Sequence, residues 1–290
     1  MVTKIPMPST CSVEFISKIL KTRLGDKRSN PEFYQKIGNA LIYSYLEYDD
    51  KKGNPEKIKK LSFDLYVNNS NDVEARKDSL INLYENRNDS FIYPILRDLR
   101  KKHNLLFCPF CGEEVIPSTL DHFLPKEKFP EYAICLNNLI PMCTKCQGKD
   151  AKGEKILSLN NQRIFLNPYF DSIEEFLTLE ICPPFDKPDF VLNLKEIEDK
   201  NTYELLASHV VELNIYDRYL DFATSQHIQL LKLAKKNRIT GKSIREKVEI
   251  YLEEREEKSK NTWAAIYYRS VLNNTNLLNY LDVGNLPNHI

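Results

Sequence analysis

The chain has 290 residues and a mass of 34.0 kDa, with 42% hydrophobic and 28% charged residues. This balance excludes wholesale disorder and collagen-like repeats, and it allows one large domain or two modest ones. Lys plus Arg (41) equals Asp plus Glu (41), so bulk charge announces no polyanionic partner. No apolar run approaches the roughly 18–20 residues of a membrane span. The first ten residues lack the apolar stretch of a secretory signal, so the cytoplasm is the expected location. Eight glycines, with no P-loop or GxGxxG string, disfavour a glycine-rich nucleotide loop.

The first hundred residues read mainly as helix. Val13, Ile16, Ile19, Leu20 and Leu24 recur at helical spacing, and Asn30 before Pro31 signals a second start. Phe33, Tyr34, Ile37, Leu41 and Tyr45 then share one face, and Lys51–Pro55 is a break. Leu61, Leu65 and Tyr66, then Leu80, Leu83 and Tyr84, predict two further short helices. From about Phe107 to Phe170 prolines, cysteines and short β-type runs take over. Val115-Ile116 and Thr119-Leu120 predict two short strands around a Pro117-Ser118 turn, and Arg163–Leu166 predicts another. Asp171-Ser172-Ile173-Glu174 has capping-box form, with a helix through Phe176. The last ninety residues return to helix, on the periodicity of Leu205, Val210 and Leu213, of Ile228, Leu231 and Leu233, of Ile244, Val248, Tyr251 and Leu252, and of Trp263, Ile266, Tyr267 and Val271. The expected fold class is α+β: a mostly helical chain with a small zinc-stapled module at its centre. The expected parts are a helical region 1–104 for partner binding or regulation, a module 105–180, and a helical region 181–290 with a basic stretch.

Seven cysteines, an odd number in a chain without a secretory signal, favour metal over disulfides. Four form two pairs, Cys108-Pro-Phe-Cys111 and Cys143-Thr-Lys-Cys146, while Cys11, Cys135 and Cys182 are scattered. Two C-x-x-C turns aim four thiolates at one tetrahedral zinc, a closed and therefore structural site. Gly112 and Gly148 suit the turns of such knuckles. Thirty-one residues lie between the pairs, so a substructure must fit there.

That segment carries Asp121 and His122 side by side. An aspartate oxygen is a hard ligand for Mg²⁺ or Mn²⁺. A neutral, oriented histidine can take a proton from water. Metal plus base is sufficient for phosphodiester hydrolysis. An Asp-His pair alone is more often a structural pair at a turn.

The order C-x-x-C, D-H-x-x-P, N-L-x-P-x-C-x-x-C resembles the HNH, or ββα-metal, nucleases of the four-cysteine type, over Cys108 to Lys152, about a sixth of the chain. The resemblance implies a hairpin and a helix closed by the knuckles. It makes His122 the general base, Asp121 a ligand of the catalytic metal, and Asn138 the residue that hydrogen-bonds the loop orienting His122. The second ligand position, normally His or Asn, is Gln147, a departure that also leaves room for Asn160, Asn161 or Asn167 to supply an amide. Lys149 and Lys152 would share the helix and meet phosphate, or else be solvated charges. The strings Leu120–Lys126, Phe129-Pro130-Glu131-Tyr132 and Asn167-Pro168-Tyr169-Phe170-Asp171 further resemble the nuclease subunits of Septu-type anti-phage systems, including those attached to retrons. In those relatives His often stands where Asn167 does. That resemblance implies an ATPase partner of the ABC or SMC-like class.

Lys232, Lys235, Lys236, Arg238, Lys242, Arg245 and Lys247 are opposed only by Glu246 within sixteen residues, a stretch that would contact nucleic acid or stay solvated. Arg97, Arg100, Lys101 and Lys102 form a smaller cluster. His103, His209, His227 and His289 lack ligand-type neighbours in sequence and are expected to be non-catalytic. The expected function is a metal-dependent endonuclease acting on DNA. A non-catalytic zinc module that binds nucleic acid or protein, and an RNA-cleaving enzyme of the same chemistry, remain as alternatives.

Overall fold

The computed structural model describes residues 3–27, 30–89 and 91–288. The chain divides by contact into two units.

One unit comprises residues 4–105 and 117–170. Helices α1 (Ser12–Gly25) and α2 (Pro31–Asp50) pair through the apolar stripes that their sequences carry. Pro31 sits at the first helical position, where its missing N–H costs nothing. Phe15, Ile16, Ile19 and Leu20 of α1 and Phe33, Ile37, Leu41, Tyr45 and Tyr48 of α2 are all buried. A short 3₁₀ turn at Phe63–Tyr66 leads to α3 (Val73–Glu85) and α4 (Ile92–Lys101). Asp89 starts α4 by accepting from the N–H groups of Phe91 and Ile92.

The strands β1 (Thr119–His122) and β2 (Leu139–Met142) pair antiparallel, with Asp121 opposite Ile140 and His122 opposite Leu139. Every residue of β2 is buried. A four-residue helix, α5 (Thr144–Gln147), follows at once. This β1–β2–α5 order positions the site.

The second unit comprises residue 3, residues 106–116 and residues 171–288 among those described. The strands β3 (Leu177–Cys182) and β4 (Asp189–Leu194) form an antiparallel hairpin. Helices α6 (Lys200–Glu212), α7 (Ile215–Arg238), α8 (Ile244–Glu256), α9 (Trp263–Asn273) and α10 (Thr275–Val283) follow. Side-chain caps at Asp199, Ser243, Thr262 and Asn274 start four of them, each worth about 1 kcal/mol. Trp263 is the hub of this unit. Its ring packs against Tyr219 and Phe222, and its indole N–H donates to the Cys111 carbonyl at 2.7 Å.

The mostly helical α+β character agrees with the sequence, and three local expectations are corrected. Val115-Ile116 is not a strand: Val115 N–H turns back to Glu113 O, and both side chains are exposed. Residues 163–166 are not a strand: Arg163 makes an isolated bridge with Leu157, and Ile164 N–H reaches Ile156 O. No helix starts at Asp171. Asn261 takes the local backbone instead, accepting from Glu175 N–H at 2.8 Å and donating to Ile173 O at 2.7 Å, and the chain enters β3 extended. Among the described residues no helix is long and apolar enough to cross a membrane.

Candidate active site and cysteine cluster

The sulfur atoms of Cys108, Cys111, Cys143 and Cys146 lie within 4.8 Å of one another, and all four residues are buried. A tetrahedral zinc with Zn–S near 2.3 Å needs sulfurs about 3.8 Å apart, so the donor set fits that ion. Each pair sits on a tight turn. Gly112 N–H donates to Cys108 O and Cys108 N–H to Glu113 O, with Gly112 at φ +81°. Cys146 and Gln147 N–H both reach Cys143 O. Four thiolates and one zinc carry net negative charge. The Arg218 guanidinium, 3.4 Å from Cys111 Sγ and 2.7 Å from Glu113 Oε2, offsets part of it. Nothing in the sequence spacing marks Arg218 for this place.

Asp121 and His122 occupy the end of β1 and are 8% and 7% exposed. The His122 ring meets the edge of Tyr84, with centroids 4.4 Å apart. Its Nε2 lies 2.8 Å from the Ala133 carbonyl. A carbonyl only accepts, so Nε2 carries the proton and Nδ1 keeps the lone pair in the neutral ring. Burial pushes the imidazole down to about 4, which keeps it neutral.

Asn138 is fully buried, and both ends of its amide are used. Its Oδ1 accepts from Leu124 N–H at 2.7 Å and from the Tyr48 hydroxyl at 3.1 Å. Its Nδ2 donates to Leu124 O at 3.0 Å and Tyr132 O at 3.2 Å. The loop so fixed ends at Ala133, the partner of His122. Asn167 stands behind this network: its Oδ1 accepts from Tyr169 N–H and its side chain hydrogen-bonds Tyr48. Asn160 and Asn161 are exposed.

Burial raises the Asp121 carboxyl above the usual carboxylate range, against the pull of Lys152 and a hydrogen bond from the Gln147 side chain. Lys152 Nζ is 2.8 Å from Asp121 Oδ2 and also donates to His122 O (2.7 Å) and Gly153 O (3.4 Å). Oδ2 therefore has a charge beside it but no aligned donor. A buried carboxylate oxygen short of an aligned donor suits a hard cation such as Mg²⁺ or Mn²⁺, while the Gln147 amide faces Asp121 with its N–H and would have to turn over to ligate.

The structure corrects the placement of Lys152. It is 1% exposed and cannot offer an open phosphate contact where it stands. The helix that was to carry it ends at Gln147, and a turn returns Lys152 N–H to Cys146 O. Lys149 is exposed. Lys235 and Lys236 are exposed on α7. Arg238 is half-buried and donates to Tyr280 and Leu281 carbonyls at the end of α10. His103, His209 and His227 each hydrogen-bond a backbone carbonyl, and His289 lies outside the described residues. In the smaller basic cluster, Arg97 and Lys102 pair with Asp98, and Arg100 reaches the Tyr84 hydroxyl.

Over 121 residues, 39% of this chain and 40% of its counterpart, the sequence is 26% identical to Septu protein PtuB of Bacillus thuringiensis. Over 66 residues, 22% of this chain, it is 35% identical to protein ea31 of Escherichia phage lambda, covering 21% of that protein. The matched stretches thus span about a fifth and two-fifths of those proteins. No family model and no solved structure matches the chain.

Proposed function

We propose that this chain is a metal-dependent endonuclease of the HNH type that serves anti-phage defence with an ATPase partner. The observation that carries the reading is the orientation of the His122 ring. Its Nε2 is tied to Ala133 O and its Nδ1 is left as a base, on the strand that also supplies Asp121. His122 Nδ1 would take a proton from the attacking water. Asp121 and Gln147 would hold a divalent cation, which supplies charge stabilisation at the scissile phosphate. Asn138 would keep the base in register by fixing the Leu124–Ala133 loop. Zinc on the four cysteines would hold the module together without taking part in the chemistry. Lys149, Lys235 and Lys236 would meet the phosphate backbone, DNA being the expected polymer. The partial likeness to Septu protein PtuB supports the defence role.

The buried Asp121–Lys152 pair favours a second reading, a non-catalytic zinc module, because Asp121 already has a counter-charge. One assay separates the readings. Plasmid DNA, single-stranded DNA and total RNA are incubated with wild type and His122→Ala, with and without Mg²⁺ or Mn²⁺, alone and with the product of a neighbouring ATPase gene. Cleavage that needs the metal and disappears in His122→Ala is the expected result, and the substrate cut names the polymer. Absence of cleavage in every arm would sink the nuclease reading.

A further inference from the structure

Lys152 is a fully buried ammonium that the proposed chemistry leaves without a task. Resting on the function proposed above, we infer that Lys152 is a positioning residue that keeps divalent-cation affinity at Asp121 low until a phosphodiester is present.

The geometry separates two things that a counter-ion usually does together. Lys152 Nζ lies 2.8 Å from Asp121 Oδ2, so the two charges cancel. Lys152 also donates to the carbonyls of His122 and Gly153, and Oδ2 is left without an aligned donor. A cation at this oxygen would find an acceptor but would stand beside a buried positive charge. Lys152 is held there by backbone. Its N–H bonds Cys146 O, Lys155 N–H bonds Lys152 O, and Gly153 at φ +46° closes the turn. A second positive ion within about 4 Å of a buried ammonium meets strong repulsion even at an effective dielectric of about 20. A phosphodiester brings the missing negative charge, so cation and phosphate should bind with positive coupling, each tightening the other equally.

The test is Mn²⁺ binding to the zinc-loaded full-length protein, followed by the electron paramagnetic resonance of free Mn²⁺. Wild type is compared with Lys152→Gln, Lys152→Met, Lys152→Arg and Asp121→Asn. Lys152→Gln and Lys152→Met should bind at least about tenfold tighter. Lys152→Arg should stay near wild type, and Asp121→Asn should lose the site. In a His122→Ala background an oligonucleotide, DNA in one arm and RNA in the other, should tighten Mn²⁺ binding when Lys152 is present, and do so less in Lys152→Gln. Neutral variants that bind Mn²⁺ no tighter than wild type would overturn the inference, as would no tightening by either polymer. Lys152→Gln keeps a donor for His122 O if Lys152→Met does not fold. Failure of both to fold, with recovery on adding Asp121→Asn, would make Lys152 a structural counter-ion only. Metal-dependent, His122-dependent cleavage alongside an unchanged Mn²⁺ affinity would sink this inference and leave the nuclease standing.

Discussion

The ring Nε2 of His122 donates to the backbone oxygen of Ala133 at 2.8 Å, eleven residues along the chain. That carbonyl is where it is because Asn138 holds the intervening loop by Leu124 and Tyr132. Asn138→Ala orphans buried groups on Leu124, Tyr132 and Tyr48 at once. The expected cost is about 2–4 kcal/mol, read as a lower urea midpoint. On the proposed nuclease function, turnover of the still-folded variant should fall further than KM changes, because an unrestrained imidazole would lose its aim and not its substrate. An unchanged turnover number would detach the loop from catalysis.

Gly53 guards the same network from the other side. It adopts φ +64°, and a Cβ there would stand 2.7 Å from the Tyr48 hydroxyl oxygen and 3.0 Å from Asn167 Nδ2. Gly241 has a similar φ of +68° with nothing within 4 Å. Gly241→Ala should therefore cost only the backbone strain, about 1 kcal/mol. Gly53→Ala should cost about 2 kcal/mol or more and lower activity through Asn138. Equal melting temperatures for the two variants would show that Tyr48 can move aside freely.

Much of this was legible in the amino-acid order, and the exceptions have physical causes. The stripes from Val13, Phe33, Ile244 and Trp263 and the Pro31 start are local signals, and the helices follow them. The paired cysteines were legible because a metal site requires fixed spacing. The β3–β4 hairpin is hidden in the sequence because a capping-box string precedes it, and the residue that cancels that string, Asn261, is 86 positions from Glu175. Val115-Ile116 has β composition but no partner strand. The sequence places Lys152 on a helix where it would meet phosphate or solvent, because composition assigns lysine to the surface. Its burial depends on a turn returning it to Asp121, which no spacing rule announces.

The cysteine cluster makes a separable prediction. Purified protein should carry about one zinc per chain, and chelation should lower its melting temperature. Cys143→Ser should cost about 3 kcal/mol or more, because a ligand is lost from a site that joins two turns. Cys11→Ser, at an exposed position outside the cluster, should stay within about 0.5 kcal/mol of wild type. Equal stability of Cys143→Ser and Cys11→Ser in zinc-loaded buffer would remove the structural role.

Glu131 gives the fold a pH dependence of its own. Its side chain is 2% exposed. Its Oε1 accepts from Leu61 N–H at 2.9 Å, while Oε2 is buried without a hydrogen-bond partner. Burial raises the carboxyl to about 7 from an ordinary 4.5. Below pH 4.5 the folded and unfolded chains are both protonated here, so the group's contribution to stability is fully present. Between about 4.5 and 7 the unfolded chain releases the proton and the folded chain keeps it, so stability falls as pH rises. Above 7 both are ionised, and the loss is complete at no more than about 3 kcal/mol. Glu131→Gln keeps the acceptor for Leu61 and has no charge to bury. It should match wild type near pH 4.5 and exceed it by about 1–3 kcal/mol at pH 8. Urea denaturation of both proteins at the two pH values reads this difference directly. A constant gap across pH would mean that Glu131 is solvated in the folded chain.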